Sequence, residues 1–154
     1  MAIQKVLLPY NFTGLDQKAL DFVINTFGKQ KNIEVTLFNA YTAAPEIETT
    51  STSVTSKLKE SLSYLSQKIT EQEAELKKIK QKLIENGFED ALVHTVFQPR
   101  RKEVANEIID LATANNFDVI ILSHRPGRAT RFFSGSRYSK VISALRNVTV
   151  CVVS

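Results

Sequence analysis

The sequence predicts a doubly wound α/β fold, and three observations carry that expectation. Short apolar runs alternate with stretches of helical periodicity along the chain, as expected when strands and helices are laid down in turn. The last two runs, Val119-Ile-Ile-Leu122 and Val148-Thr-Val-Cys-Val-Val153, are almost continuously apolar, as strands are when helices cover both faces of a sheet. The 154 residues suffice for one hydrophobic core. We therefore expect a single domain over residues 1–154, with parallel strands and right-handed helical crossovers. Ligands of such sheets bind beyond the carboxyl ends of the strands, where strand order reverses.

Each element can be justified in turn. Ile3–Pro9 reads as a first strand stopped by proline, followed by a short loop, Tyr10–Thr13. Thr13 with Asp16 three residues on resembles a capping box with a shortened acid. A helix follows, with Leu15, Ala19, Leu20, Val23, Ile24 and Phe27 on one face and Gly28 as its stop. Ile33–Ala40 is a second strand. The Thr/Ser/Ala-rich stretch Tyr41–Ser56 has no periodicity and reads as a surface loop, mobile over about residues 42–56.

A long helix is expected from about Thr55 to Glu85, closed by Asn86-Gly87. Leu58, Leu62, Leu65, Ile69, Gln72, Leu76, Ile79 and Leu83 recur in alternating steps of four and three. This stripe suits either a coiled coil or one helix packed across a sheet. Its length, little over three heptads, favours the second. Asp90–Phe97 is a third strand, Glu103–Asn115 a helix, Phe117–Ser123 a fourth strand, and Val148–Val153 a fifth, preceded by a helix to about Arg146.

Composition narrows the class. Hydrophobic content of 43% and charged content of 23% are those of an ordinary globular protein. From Val119 onward there are six Lys/Arg and no acid, so a total of +4 leaves −2 for the first 118 residues. Cys151 is the single cysteine, and its valine neighbours suggest a buried thiol. The first apolar run is broken by Gln4, Lys5 and Pro9, unlike a signal peptide, and no run nears the roughly 18 apolar residues of a membrane span. The expectation is a cytoplasmic protein.

The most informative stretch is Ser123-His-Arg-Pro-Gly-Arg-Ala-Thr-Arg-Phe-Phe-Ser-Gly-Ser136. A strand that runs through a Gly/Ser/Arg loop into a helix can offer main-chain amides and a helix dipole to one anion. Arg125, Arg128, Arg131 and Arg137 add positive charge. Elsewhere, His94 lies in an apolar strand and reads as a partly buried structural residue. Arg100-Arg101-Lys102 precedes a helix and reads first as an exposed loop, second as an anion contact. Phe132-Phe133 reads as an anchor of its loop to the core. No Cys, His or carboxylate cluster has metal-ligand spacing, and no nucleophile–base pair is visible, so no catalytic residue is assigned. A P-loop is absent, as are the acidic pair of response-regulator receivers and the Ser-Gly-Gly-x-Asp-Ser of ATP pyrophosphatases.

Over essentially its full length the chain resembles the universal stress protein family. Leu7-Leu-Pro-Tyr-Asn-Phe-Thr13 is similar to the family's opening strand running into Pro-x-Asp-Phe/Gly-Ser. Leu37-Phe-Asn-Ala-Tyr41 stands where the family has Leu-Leu-His-Val. Asp118-Val-Ile-Ile-Leu-Ser123, Gly135-Ser136 with Lys140-Val141, and the closing strand match in order and spacing. The resemblance implies a three-layer sandwich with five parallel strands in the order 3-2-1-4-5, of the adenine nucleotide alpha hydrolase-like kind. It also implies a homodimer formed through Val148 to Val153. Members that bind ATP carry Gly-x2-Gly-x9-Gly-Ser/Thr in the loop after the fourth strand. Here Ser123 holds the first glycine position and Pro126 the second, beside Gly127; eleven residues separate Ser123 from Gly135 where the motif has twelve. Asn11 replaces the acid of the nucleotide pocket.

Proline removes a donor and glycine alone allows the closest approach of backbone to phosphate. Losing two such hydrogen bonds would cost about 3–6 kcal/mol, at least about a hundredfold in affinity, offset in part by the arginine forks. Two readings follow. The first is a non-enzymatic stress-response or regulatory protein acting through dimerisation and partners, with ATP binding weakened or lost. The alternative is a nucleotide-binding member with slow or no hydrolysis. ATP or AMP, or another small anion, is the candidate ligand. Its contacts would be Pro9, Asn11, Ala40, Ser123, His124, Arg125, Gly127, Arg128, Gly135 and Ser136. No metal, membrane or nucleic-acid partner is expected; RNA on the basic carboxyl-terminal face is the weakest alternative.

Overall fold

The apolar runs and helical stripes assemble into the sheet that they predict. A computed structural model describes residues 2–43, 55–124 and 137–154. The bulk of the Ser/Thr-rich loop (44–54) and the segment 125–136 lie outside the described residues. The strands are β1 (Gln4–Pro9), β2 (Ile33–Tyr41), β3 (Val93–Pro99), β4 (Val119–Ser123) and β5 (Thr149–Val153). The helices are α1 (Gly14–Phe27), α2 (Thr55–Glu85), α3 (Val104–Asn115) and α4 (Arg137–Ala144). All strand pairs are parallel, in the order β3-β2-β1-β4-β5. Order therefore reverses between β1 and β4, and the crevice of a doubly wound sheet opens there.

Alternation along each strand divides the apolar side chains between two layers. Val6, Leu8, Val35, Leu37, Val93 and Ile121 face α1 and α2, where they meet Leu20, Val23, Phe27, Leu76, Ile79 and Leu83. Leu7, Phe38, Ile120 and Leu122 face the other side, against Ala105, Ile108, Ala112 and Val141. The stripe on α2 is buried only at its carboxyl end: Leu76 and Leu83 are 1% and 0% exposed, whereas Leu58 is 36% exposed. A helix of 31 residues is about 46 Å long, longer than the sheet that it crosses. Packing across a sheet thus accounts for the last third of the stripe.

Several boundaries differ from the sequence reading, each for a local reason. Phe117 and Asp118 precede β4 because Asn116 turns left-handed (φ 53°) and the Phe117 amide donates back to Ala112 O, closing α3. Asp90–Leu92 forms a 3-10 turn, which delays β3 to Val93. Gly28 ends α1 in right-handed geometry (φ −62°). Its value is space: a Cβ there would sit 3.2 Å from Asn86 O, and one on Gly87 (φ +105°) 2.8 Å from Gly28 O. The ends of α1 and α2 therefore pass with backbone against backbone.

β5 ends the sheet, as the implied order has it, and reaches both layers: Cys151 and Val153 pack against the α1/α2 layer and Val150 against the other, with Val152 43% exposed. Two expectations need correction. Cys151, on that edge, is half-buried and packs against the α1/α2 layer without being sealed by it. His94 is exposed, because β3 is the opposite edge, and its Nε2 lies 2.7 Å from Glu34 Oε1. Among the described residues no helix is long and apolar enough to cross a membrane.

Candidate functional site

At the carboxyl end of β1, backbone pairing continues one residue past the strand: the Tyr10 amide donates to Phe38 O (2.8 Å) and Asn39 Nδ2 donates to Tyr10 O (2.8 Å). The chain then reverses through Phe12, whose φ of 62° is left-handed. A side chain there costs about 1–2 kcal/mol, and an edge-to-face contact with Tyr10 at 5.3 Å helps to hold it. Thr13 caps α1 as its spacing predicts, accepting from the Asp16 amide (3.3 Å).

Asp16 does more than complete the capping box. Its Oδ2 accepts from the Asn11 amide (2.9 Å), the Thr13 amide (3.2 Å) and the Thr13 hydroxyl (2.9 Å). Its Oδ1 accepts from the Ser123 hydroxyl at the end of β4 (3.0 Å). The residue is 2% exposed, and the positive end of the α1 dipole adds to its stabilisation. The carboxylate thus joins the β1–α1 loop to β4 across the point where strand order reverses. At the other end of that junction Asp118 does the same work. Its Oδ2 accepts from the Lys5 amide (2.8 Å), its amide donates to Lys5 O (2.9 Å), and its carbonyl accepts from the Thr149 amide (2.9 Å).

The β3–α3 loop repeats the device. Glu107, 8% exposed, turns back from the start of α3 to accept from the amides of Arg101 (2.8 Å) and Lys102 (3.0 Å). Tyr41 stacks on Phe97 at 4.5 Å and accepts the Arg100 amide at its carbonyl (2.7 Å). Beneath this loop lies a cavity of about 340 Å³ lined by Gln98, Pro99, Arg101, Lys102, Glu107 and Asp110. Lys102 is paired with Asp110, which raises the lysine pKa, and Glu103 is paired with Lys140, which lowers the carboxyl pKa. Arg100, Arg101 and Lys102 are the exposed loop of the first reading, and two of the amides an anion would have sought face Glu107.

Of the residues expected to meet a ligand, Pro9 is buried at the end of β1, while Asn11, Ala40, Ser123 and His124 are half-buried along the same carboxyl edge. The His124 amide donates to Val153 O (2.7 Å), which carries β4–β5 pairing to the crevice. Arg125, Gly127, Arg128, Gly135 and Ser136 lie outside the described residues. Sequence reasoning missed the wider role of Asp16 and all of Glu107. The signal for Asp16 is a capping acid in the first helix combined with a hydroxyl ending the fourth strand, and only the β1–β4 adjacency links them. Among the described residues no group of three His, Cys, Asp or Glu side chains could hold a metal.

The fold defines a class: a doubly wound α/β protein whose strand order reverses between β1 and β4. The model of the universal stress protein family matches residues 2–153, and the chain belongs to that family. No curated protein is similar enough in sequence to add to this. Solved structures share the fold. The hypothetical protein MJ0577 is 25% identical, with 99% of this chain and 96% of that one covered and a TM-score of 0.67. The universal stress protein UspA from Lactobacillus plantarum is 15% identical over 100% and 99% of the two chains, with a TM-score of 0.69. A universal stress protein in complex with cAMP is 15% identical over 100% and 98%, with a TM-score of 0.64. The last two show a common fold.

The geometry around Tyr10 sets an alkaline limit. Burial, followed by the negative charges of Asp16, Glu75 and Asp21, raises the Tyr10 pKa above 10.0 in the folded chain. The folded state then keeps its proton while the unfolded state loses one, so stability is full below pH 10 and falls as pH rises through the folded value. Denaturant midpoints measured from pH 9 to 11 should therefore fall less steeply in Tyr10→Phe than in the wild type. Equal slopes would place the phenol in ordinary solvent.

Proposed function

We propose that this protein is a non-enzymatic universal-stress-type regulator. A nucleoside or nucleotide in the crevice beside Pro9, Asn11, Ala40, Ser123 and His124 adjusts how a homodimer meets its partners. The observation that carries this reading is the contact between Ser123 and Asp16. The Ser123 hydroxyl is committed to a carboxylate that three further donors surround, an arrangement that suits a structural tie between the β1–α1 loop and β4. Ser123 also stands where the ATP-binding pattern has glycine, which supports a weakened grip on phosphate. That a universal stress protein of the same fold holds cAMP supports the ligand class.

The edge of the sheet supports the dimer. Among the described residues β5 pairs with β4 alone, and Val152 on it is 43% exposed. Such an edge invites pairing with a second copy.

Two measurements test these claims. With 1 mM ATP or AMP the melting temperature should rise by about 1–2 °C, as a dissociation constant near 1 mM gives, with no ATP consumed. A rise beyond about 8 °C would mean micromolar binding and an intact phosphate grip. No rise with adenosine, AMP or ATP would end the ligand reading. Light scattering should give twice the 17.3 kDa chain mass, and Val152→Lys should halve it by placing charge on the pairing edge. A monomeric wild type, or a variant still dimeric, would remove β5 as the interface.

A further inference from the structure

At the amino edge of the sheet, opposite the crevice after β1 and β4, a cavity of about 470 Å³ lies where α3 and α4 end and β4 and β5 begin. Asn116 and Asn147, both left-handed (φ 53° and 59°), turn the chain between these elements and line it. Its size and its few polar groups set among apolar ones are those of a small-molecule site. Phe117, Leu145 and Val148 supply the apolar wall. Asp118 and Arg146 also line it, yet among the described residues neither forms an ion pair. Asp118 Oδ2 accepts from the Lys5 amide, which leaves Oδ1 without a hydrogen bond among the described residues. Neither helix carries a basic residue in its last turn, so both turn partial negative charge toward the cavity. Lys5 answers it at α3, where its ammonium donates to Asn115 O and lies 5.1 Å from the centre of the Phe117 ring. No lysine or arginine among the described residues bonds the end of α4 in that way.

An acid and a base that share a cavity without meeting select a ligand carrying both charges. A simple anion would face Asp118 and two helix ends, and a simple cation would face Arg146. A metal ion has no group of three acidic, histidine or cysteine ligands to hold it among the described residues. The geometry assigns this cavity to a free α-amino acid with an apolar side chain. Asp118 and the helix ends hold its ammonium group, Arg146 forks onto its carboxylate, and Phe117, Leu145 and Val148 cover its side chain. This site is separate from the crevice and does not rest on what the crevice binds.

The test follows the Asp118, Leu145 and Asn147 amides by NMR in the full-length protein during titration with L-alanine, L-leucine and L-phenylalanine. At least one of them should shift all three amides by about 10 mM. The amide of the tightest binder, which lacks the carboxylate, and its deaminated acid, which lacks the ammonium group, should each bind at least about tenfold more weakly. Arg146→Gln, at an exposed position, should weaken the amino acid at least about tenfold and leave its amide within about twofold, a split that a general loss of structure would not give. Ala144→Phe, also at an exposed position lining the cavity, should fill it and abolish the shifts; if that variant does not fold, Arg146→Gln carries the test. The proposal is overturned if none of the three amino acids moves these amides. It is overturned equally if either analogue binds as tightly as the amino acid, or if a folded variant binds like the wild type.

Discussion

The Asp16 carboxylate is the interaction on which the functional edge depends. The junction between β1 and β4 is where strand order reverses, and it is the least extensive in the sheet. Only Val6 and Leu7 find register partners there, Val119 and Ile120, against six partners between β1 and β2. A ladder that short needs support at its ends. Asp118 supplies it at the amino end and Asp16 at the carboxyl end, each through hydrogen bonds to a carboxylate that are individually stronger than neutral ones. Because Asp16 is buried, breaking one partnership leaves a charge without its donors, a larger penalty than the worth of the bond.

This support has a chemical consequence. The amides at the start of a helix attract negative charge, and doubly wound proteins commonly use them on a ligand. In this chain the β1–α1 and β3–α3 loops turn them inward, to Asp16 and Glu107.

Much of the fold was legible in the chain because it rests on local chemistry. The apolar runs of β1 and β4, the stripe that buries Leu76, Ile79 and Leu83, and the Thr13–Asp16 cap are written in consecutive residues. Boundaries were less legible. A left-handed Asn116 and a 3-10 turn at Asp90–Leu92 arise where short-range hydrogen bonds compete with strand pairing. The edge positions of β3 and β5 came from the implied strand order, whereas the exposure of His94 was not legible in the residues around it, since an apolar or alternating strand does not state whether it lies inside a sheet or on its edge. The site was legible in outline only. Pro9, Asn11, Ala40, Ser123 and His124 do share one edge, yet the bond that organises them joins residues 107 positions apart. It became visible only once the crossover set β4 beside β1.

Hydrogen exchange at Asn11 and Thr13 tests this account most directly. Both amides precede α1 in a loop, where open backbone would exchange freely. If Asp16 holds them, they should be protected to within about tenfold of the Tyr10 amide, which is bound to the β2 backbone. Exchange at the rate of an unprotected loop, with Tyr10 remaining slow, would contradict the account.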